Sequence, residues 1–342
     1  MASRSSKASS SSPADVVALR LPVPWTVGHV NAYLLRGDPL TLIDPGPRTS
    51  RTWDALETAL AREGVAVEDI ELVLLTHHHA DHAGLAGTVR ERSGCLVGAH
   101  ELVAEFMADE PAARAAEIDY DTALLTLHGA SEEVAATVRE VSDAARECSG
   151  SVHVDVRLAA GDTITAGGRD LHVLLVPGHS PTDTLFSDDG IAFSGDHLLA
   201  AMRTVLLAER PPRGSADPRA RRPLLPTYRA SLARTAELGL RLALPGHGDA
   251  IPAPEPLMRQ RLEEHVARGD RLCAAMPSAP FTAWELVAQQ RGRRPLDSTD
   301  LPVSAAFIVL SDVLAQIDVL IERGRVRELP ERDVLYERLP RP

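Results

Sequence analysis

Three consecutive histidines, an aspartate and a fourth histidine stand in the stretch "THHHADHAG" (76–84), directly behind an apolar run. Neutral imidazoles and carboxylates are the ligands that zinc, iron and manganese take in proteins. If the apolar run is a strand that passes into a helix within this stretch, alternate residues point to two neighbouring places. The pattern H-x-H-x-D-H therefore predicts two pairs of metal ligands, His77 with His79 and Asp81 with His82. His78 is the intervening residue, expected to lie behind the site or to face solvent.

Three later turns repeat this arrangement, because each follows an apolar run and carries a potential ligand. They are "VPGHSPTDT" with His179, "FSGDH" with Asp196 and "LPGHGD" with His247. A rigid strand fixes the position of the residue that leaves it, so strand ends that meet at one sheet edge often form sites. A single histidine of this kind is more often a surface or capping residue. Its occurrence in four places predicts a shared metal site.

The elements that must position these turns are short apolar runs alternating with helical stretches, which indicates a layered α/β or αββα domain. The predicted strands are 31–37, 40–46, 70–77, 95–100, 171–179, 190–196 and 240–247, and the predicted helices of this part are 50–64 and 83–94. Residues 101–150 are rich in Ala, Glu and Leu at helical spacing and predict a helical insertion.

Both ends of the chain differ from this layered part. Residues 1–14 hold seven serines within their first twelve positions and no apolar stretch, which predicts a disordered tail. The layered domain is then expected over 15–252 and a small, mostly α-helical domain over 253–342. The helices predicted for this second domain are 255–276, 281–292 and 305–329, the last ending at Gly324 before a short hairpin.

Composition restricts the classes of function. The 342 residues carry 36 basic and 48 acidic side chains, a net charge of −12, which disfavours nucleic acid as an obligate partner. The three cysteines are far apart and odd in number, so neither a disulfide framework nor a cysteine zinc site is indicated. No run approaches the roughly 18 apolar residues of a membrane span. We expect a cytoplasmic protein with no membrane association.

At the histidine motif and the turns that follow, the chain resembles the metallo-β-lactamase superfamily over about residues 15–250. The resemblance implies an αββα sandwich with a two-metal centre at one edge of the paired sheets. It implies one metal on His77, His79 and His179, a second on Asp81, His82 and His247, and Asp196 as the bridge. In "LIDPG", Asp44 would orient the loop from behind, although a turn-forming aspartate before Pro-Gly is nearly as good an interpretation.

Particular residues narrow the resemblance within that superfamily. Many true β-lactamases have cysteine where Asp196 stands, and flavin-dependent di-iron relatives have glutamate where His79 stands. The pattern is more similar to glyoxalase II, lactonases and related esterases and nucleases. Residues 253–342 resemble the winged-helix-like unit of a branch that includes lactamase-beta-like endoribonucleases and many bacterial hydrolases. A packing or dimer element without any nucleic-acid role is the preferred interpretation of this unit.

The resemblance implies hydrolysis by a hydroxide bound between two divalent metals, most simply zinc, with iron or manganese as alternatives. Asp81 would also relay the proton. The preferred substrate is a small, anionic thioester, ester or lactone. An endoribonuclease or phosphodiesterase is the first alternative. A DNA-binding regulator with a non-catalytic lactamase scaffold is the second, although the complete ligand set speaks against a decayed site. A homodimer is a further expectation.

One arginine-rich segment stands outside these motifs. Residues 203–236 contain eight arginines against two acids. The segment predicts a clamp for an anionic substrate, because guanidinium groups bind carboxylates and phosphates with two parallel hydrogen bonds. Arg203 is the best single candidate, since it is nearest in sequence to Asp196. A solvated loop that balances an acidic protein is an equally good interpretation.

Overall fold

Two six-stranded sheets form the centre of the molecule. In the first, the spatial order follows the chain: β1 (Val16–Pro22), β2 (His29–Leu35), β3 (Thr41–Ile43), β4 (Leu72–Leu75), β5 (Leu96–His100) and β6 (Val156–Leu158). The second contains β7 (Thr163–Ala166), β8 (Arg169–Leu175), β9 (Thr184–Asp188), β10 (Ile191–Gly195), β11 (Leu242–Pro245) and β12 (Ile251–Pro252), ordered from β12 back to β7. Strands β3 to β6 run parallel, and β4 is buried along its whole length, as its uninterrupted apolar sequence requires.

The helices are α1 (Ser50–Arg62), α2 (Ala80–Ala83), α3 (Ala86–Ser93), α4 (Glu101–Ala108), α5 (Glu110–Leu127), α6 (Glu132–Ala145), α7 (Leu224–Ala236), α8 (Glu255–Ala275), α9 (Ala283–Gln290) and α10 (Ala306–Glu322). Helix α1 begins where Thr49 Oγ1 accepts a hydrogen bond from the Thr52 backbone N–H, a side-chain cap. After α10, Gly324 adopts a positive φ of 63°, and the hairpin β13 (Val326–Leu329) and β14 (Leu335–Arg338) follows.

Three apolar clusters define the layers. One fills the space between the two sheets and includes Leu74, Phe186 and Phe193. A second joins the outer face of the first sheet to α1, α3 and α4. The third joins the outer face of the second sheet to helices from α5 onward. Helices therefore cover both outer faces of the paired sheets, which confirms the predicted αββα sandwich.

The third cluster is continuous across the predicted domain boundary. It contains Leu124 of α5, Leu225 of α7 and Leu314 of α10, all buried. The insertion predicted over 101–150 is helical, and it shares this core with the C-terminal helices. The boundary at residue 252 and the winged-helix class of the C-terminal unit stay predictions.

The helix predicted over 83–94 differs from the structure, which has α2 and α3 instead. The chain turns at Gly84, where a Cβ atom would lie 2.4 Å from the Cys148 carbonyl oxygen. Only glycine permits so close an approach of another backbone segment. The strands β1, β6, β7, β9 and β12 are not among the predicted ones. Strands β6 and β12 have only three and two residues, and β1 and β7 are half-exposed, which weakens the apolar signal.

The computed structural model describes residues 15–290, 305–329 and 334–340. The predicted disordered tail, residues 1–14, lies outside these described residues. Among them, no helix combines the length and the apolar character that crossing a bilayer requires.

Candidate metal centre

The four ligand-bearing turns converge because two glycines let their backbones approach closely. Gly195 ends β10 with a φ of 46°, and a Cβ there would lie 2.6 Å from Thr76 Oγ1. A Cβ at Gly246, after β11, would lie 2.5 Å from Asp196 Oδ1 and from His82 Cε1. A side chain at either position would push the turns apart. The glycines in "SGDH" and "PGHGD" are thus part of the construction of the centre.

A first group of ligand atoms belongs to His77, His79 and His179, all within 4.8 Å of one another. His79 Nδ1 and His179 Nε2 face each other at 2.9 Å. The ring centroids of His77 and His79 are 4.6 Å apart and nearly perpendicular. This first group combines the three histidines that the sequence predicted for one metal.

A second group consists of Asp81, His82 and His247, again within 4.8 Å. Asp81 Oδ2 lies 3.2 Å from His247 Nε2 and 3.7 Å from His82 Nε2. The second group therefore combines the residues predicted for the other metal.

Asp196 lies between the two groups. Its Oδ2 atom is 3.6 Å from His179 Nε2 in the first group and 3.4 Å from His247 Nε2 in the second. Its Oδ1 atom is 3.5 Å from His82 Nε2. A carboxylate in this position is suitably placed to bridge two cations.

Each of the five histidines has one ring nitrogen that points away from the cluster, and this outward nitrogen has a partner in the protein. The pairs are His77 Nδ1 with Thr76 Oγ1 (3.0 Å), His79 Nε2 with Glu209 Oε1 (2.5 Å), His82 Nδ1 with Asp44 Oδ2 (2.9 Å), His179 Nδ1 with Val205 O (2.6 Å) and His247 Nδ1 with His29 O (2.6 Å). Carboxylate and carbonyl acceptors require the proton on this outward nitrogen. The inward nitrogen is left as an acceptor, which is how proteins orient metal-binding histidines.

Several inward atoms are buried without a partner. Within the described part of the chain, His77 Nε2, His82 Nε2 and Asp196 Oδ1 make no hydrogen bond. Buried polar atoms are nearly always paired in proteins. A cation at each group would satisfy these atoms, with Asp196 between the two, so the residues present fit a pair of metal ions.

The charges of the cluster are also those of a cation site. Burial raises the pKa of Asp196, but His82 and His247 outweigh it and hold the pKa at about 2. For His247, burial lowers the pKa, and the neighbouring Asp196 and Asp81 raise it to about 11. Burial lowers the pKa of His77 well below its usual value. The carboxylates are thus ionised, and a cation bound by the second group would replace protons there.

Asp44 lies behind both groups and in an unusual backbone conformation, with a φ of 52°. Its Oδ1 atom accepts from the Thr76 backbone N–H (2.9 Å). Its Oδ2 atom accepts from Thr76 Oγ1 (2.6 Å) and from His82 Nδ1 (2.9 Å). Aspartate is one of the few residues that tolerate this conformation. Asp44 therefore orients His82 directly and His77 through Thr76.

His78 points away from the cluster and is fully buried, so it does not face solvent. Its Nδ1 atom is 2.8 Å from Thr182 Oγ1, and its Nε2 atom is 3.0 Å from Glu117 Oε1 on α5. Its ring packs on Phe106 of α4 at a centroid distance of 4.3 Å. His78 thus anchors the helical insertion to the strand end that carries the ligands.

A cavity of about 360 Å³ opens onto the cluster, with His79, Asp81, His179 and Asp196 at its base. Its apolar wall comes from the β1–β2 loop, the insertion, the segment after Asp196 and α10: Trp25, Val27, Ile118, Val138, Leu207, Phe307 and Ile308. Its charged lining consists of Arg114, Glu117, Asp121, Arg146 and Glu209. Burial and the nearby Glu117 raise the pKa of Asp121 well above its usual value. The wall is therefore largely apolar, with both signs of charge near the ligands.

Glu209 is the main residue that the sequence analysis missed. Glu209 is 6% exposed, and its Oε1 atom contacts His79 Nε2. Burial raises the pKa of Glu209, but the neighbouring His79 outweighs this effect and lowers the pKa to about 2. In the sequence it was only one of two acids in an arginine-rich segment. Phe307 and Ile308 carried no signal either, because apolar residues at the start of a helix predict packing.

The structure does not bring Arg203 to the ligand cluster. Arg203 lines a neighbouring cavity of about 370 Å³ together with His265 and Arg268. The predicted contact of Arg203 with substrate beside Asp196 is therefore not supported by its position. The segment after Asp196 contacts the metal centre at Val205, whose backbone oxygen is 2.6 Å from His179 Nδ1, and not at Arg203.

Several other arginines of the same segment bind neighbouring parts of the protein. Arg213 pairs with Glu101 and Glu105 of α4, and Arg221 pairs with Asp318 at 2.6 Å. The side chains of Arg229 and Arg234 donate to the backbone oxygens of Leu262 and Leu175. These four arginines attach the segment to helices and strands, so they form no open basic groove.

Known proteins are similar to this chain along most of its length. The family model described as "Metallo-beta-lactamase superfamily" matches residues 25–247. The Bacillus subtilis (strain 168) protein named "Probable metallo-hydrolase YqjP" is 30% identical over 325 residues, covering 94% of this chain and 97% of that protein. A hydroxyacylglutathione hydrolase of Xanthomonas campestris pv. campestris (strain B100) is 28% identical over 298 residues, covering 84% and 89%. A metallo-beta-lactamase family protein from Thermus thermophilus has a crystal structure with a TM-score of 0.77 at 28% identity, covering 95% and 99%.

Proposed function

The chain belongs to the metallo-beta-lactamase superfamily, and from this premise we propose that it is a metal-dependent hydrolase of small thioesters, esters or lactones. The observation that supports this proposal best is the cavity over the ligand cluster. Its volume of about 360 Å³ suits a small molecule, and Ile118 and Phe307 give it an apolar wall. A nuclease would need an open basic groove for a strand.

Two divalent ions held here, zinc in the simplest case, would supply Lewis-acid polarisation of the substrate carbonyl and an ionised water at neutral pH. His77, His79 and His179 would hold one ion, Asp81, His82 and His247 the other, and Asp196 would contact both. Asp81 lines the cavity, so its carboxylate would take the proton of the attacking water. The apolar wall would exclude bulk water, which strengthens these charge interactions.

A thioester is the first substrate to assay within this group. The Xanthomonas relative that covers most of this chain carries the name hydroxyacylglutathione hydrolase, and such a hydrolase cleaves a thioester.

The test is a substrate panel with metal-loaded protein: a small thioester, an ester, a lactone and single-stranded RNA. We expect hydrolysis of at least one of the first three and intact RNA. Cleavage of RNA with no turnover of any small substrate would replace the proposal with the phosphodiesterase alternative. DNA binding by the purified protein without any hydrolysis would favour the regulator alternative.

A pair of variants on one helix tests whether the cavity holds the substrate. Ile308 lines the cavity near the start of α10, whereas Ile321 lies near the end of the same helix; their exposed fractions are 44% and 37%. Ile308→Trp should raise the KM for the small substrate several-fold by filling the cavity, with metal content unchanged. Ile321→Trp is the control. Equal kinetics in both variants would mean that the substrate binds elsewhere.

The remaining expectations stay predictions. A cytoplasmic location, a homodimer and an anionic substrate have no support from the fold alone. The homodimer is checked most simply by the molar mass of the protein in solution.

A further inference from the structure

A second cavity lies beside the metal centre and is separate from the substrate cavity. It measures about 370 Å³ and is lined by residues 202–206 together with parts of α8 and α10. An adjoining space of about 260 Å³ extends it towards Arg271. Ile308 lines both this cavity and the substrate cavity, so the two are neighbours.

Positive charge dominates the lining. Arg203, Arg268 and Arg271 all border the adjoining space. Arg268 forms an ion pair with Asp312, with Nη1 2.6 Å from Oδ1. Over residues 15–290, 305–329 and 334–340, neither Arg203 nor Arg271 has an ion pair or a side-chain hydrogen bond. Three guanidinium groups thus share one carboxylate, in a chain whose net charge is −12.

Two buried polar atoms at this cavity also lack partners. His265 is 8% exposed and Gln316 is 3% exposed, and both line the cavity. His265 Nδ1 and Gln316 Oε1 make no hydrogen bond to any described residue. Burial, helped by nearby Arg229, lowers the pKa of His265 to about 4, so the ring is neutral at neutral pH. A ligand in the cavity would provide the partners that such buried atoms normally have.

We propose that this cavity binds a phosphate monoester of a small hydroxylated molecule. Guanidinium groups bind phosphate oxygens with paired hydrogen bonds, and a monoester carries close to the two charges that the arginines leave unbalanced. The Gln316 side chain lines the cavity, and its amide can donate to a phosphate oxygen or, after rotation, accept from a hydroxyl group of the same ligand. Leu206, Val309 and Ala315 supply apolar surface for the carbon part of the ligand.

The monoester has two possible sources, the distal part of the substrate or a free effector. Because Ile308 borders both cavities, a long substrate that lies across this residue would reach both. Alternatively, the segment between the cavities would transmit binding, because Val205 O accepts from His179 Nδ1 and the Leu207 N–H donates to His179 O (3.0 Å). The substrate source rests on the proposed function, whereas the binding site itself does not.

The binding test uses calorimetric titration of the metal-loaded protein with glycerol 3-phosphate at constant ionic strength, with glycerol and acetate as reference ligands. Arg203→Gln/Arg271→Gln should weaken glycerol 3-phosphate binding about tenfold or more, since two charge-assisted contacts are lost. The control is Arg241→Gln/Arg259→Gln, which removes the same charge from two arginines exposed in surface ion pairs, one of them also on α8. Phosphate bound at the metal centre is common to all three proteins and cancels in the comparison.

A kinetic comparison then distinguishes the two sources. One thioester has a phosphate monoester on its leaving group, and a second is identical but lacks the phosphate. If the phosphate belongs to the substrate, the lower KM that wild type shows for the first thioester disappears in Arg203→Gln/Arg271→Gln. If it belongs to an effector, added glycerol 3-phosphate changes kcat/KM for the second thioester in wild type and not in that variant.

Equal binding of glycerol 3-phosphate by wild type and by Arg203→Gln/Arg271→Gln would overturn the proposal. So would wild-type binding no tighter than that of glycerol or acetate. Because calorimetry requires no turnover, the binding result can be interpreted even if the protein does not hydrolyse any of the proposed substrates.

Discussion

The two ligand groups of the metal centre are supported by different regions of the molecule. The second group is oriented from strands of the first sheet, since His82 donates to Asp44 after β3 and His247 donates to the His29 carbonyl at the start of β2. The first group is oriented largely by the segment after Asp196, where Val205 accepts from His179 and Glu209 from His79. One half of the centre thus depends on the central sheets and the other half on a segment outside them.

That segment is held by the C-terminal helices. Arg261 of α8 donates to the backbone oxygens of Ala200 and Met202, and Ser311 of α10 accepts from the Ala208 N–H. The C-terminal unit therefore has a structural role at the metal centre in addition to contributing Phe307 and Ile308 to the cavity. We expect changes in this unit to act on the first group and to spare the second.

Asp196→Ala should have the largest effect, because Asp196 contacts both groups. Loss of the carboxylate leaves two cations repelling each other, so metal content should fall below one ion per chain. Hydrolysis should fall about a thousandfold or more, given the several kcal/mol that metals supply to such reactions. Elemental analysis and activity give the answer, with the exposed Asp249→Ala as control. Two ions and normal turnover in Asp196→Ala would refute the bridging role.

Asp44→Asn should come next, since it weakens the second group directly and the first through Thr76. The amide replaces an acceptor that faces the Thr76 hydroxyl and His82 Nδ1 with a donor, while asparagine still tolerates the positive φ. We expect metal affinity to fall about 10- to 100-fold at the second group. Chelator competition measures this. Asp189→Asn is a matched control, because Asp189 also has a positive φ, of 42°, in an exposed turn. Equal affinities in the two variants would contradict the assigned role.

Glu209→Ala should weaken the first group alone. Without its acceptor the His79 ring loses its orientation, and affinity for one of the two ions should fall about tenfold or more. Glu209→Gln should restore most of it, because the amide oxygen can still accept from His79 Nε2. Glu105→Gln, which removes an exposed carboxylate that binds Arg213, serves as control. Equal weakening of both ions would mean that the two groups are not supported independently.

The sequence predicted the ligands of both groups but, of the residues that orient them, only Asp44, as a residue that orients the loop; the His29 carbonyl that holds His247 was not predicted. The ligands are recognisable because they follow apolar runs and because four of them have the spacing H-x-H-x-D-H. Asp44 is recognisable because it stands in the separate motif "LIDPG". Glu209 and Val205 act across long sequence separations, and Val205 acts through its backbone oxygen, which no side-chain pattern records. Tertiary packing of α8 and α10 decides where their segment lies.

The fold could be predicted at the level of layers and less well at the level of individual elements. Buried parallel strands such as β4 have continuous apolar sequences, so they were found. Short or half-exposed strands such as β6 and β7 depend on pairing with neighbours for their stability, and their sequences resemble those of loops. The position of Arg203 differs from the predicted one for a related reason. Nearness in sequence to Asp196 does not determine which cavity a side chain borders.

The smallest expected effect comes from Ser311→Ala, which tests the connection between α10 and the first group. Ser311 Oγ is buried and accepts from the Ala208 N–H at 3.1 Å, one residue from Glu209. Its loss should cost about 1–3 kcal/mol of unfolding free energy, because a buried N–H is left without an acceptor. It should also weaken one of the two metal ions a few-fold by loosening the segment that carries Val205 and Glu209. Ser93→Ala is the control, since the half-buried Ser93 Oγ likewise accepts from a backbone N–H, that of Cys95, at 3.1 Å, but at the end of α3. If only Ser311→Ala changes the metal affinity, α10 acts on the metal centre through this segment. If neither serine variant changes the metal affinity, other contacts hold the segment in place and the proposed dependence on α10 is wrong.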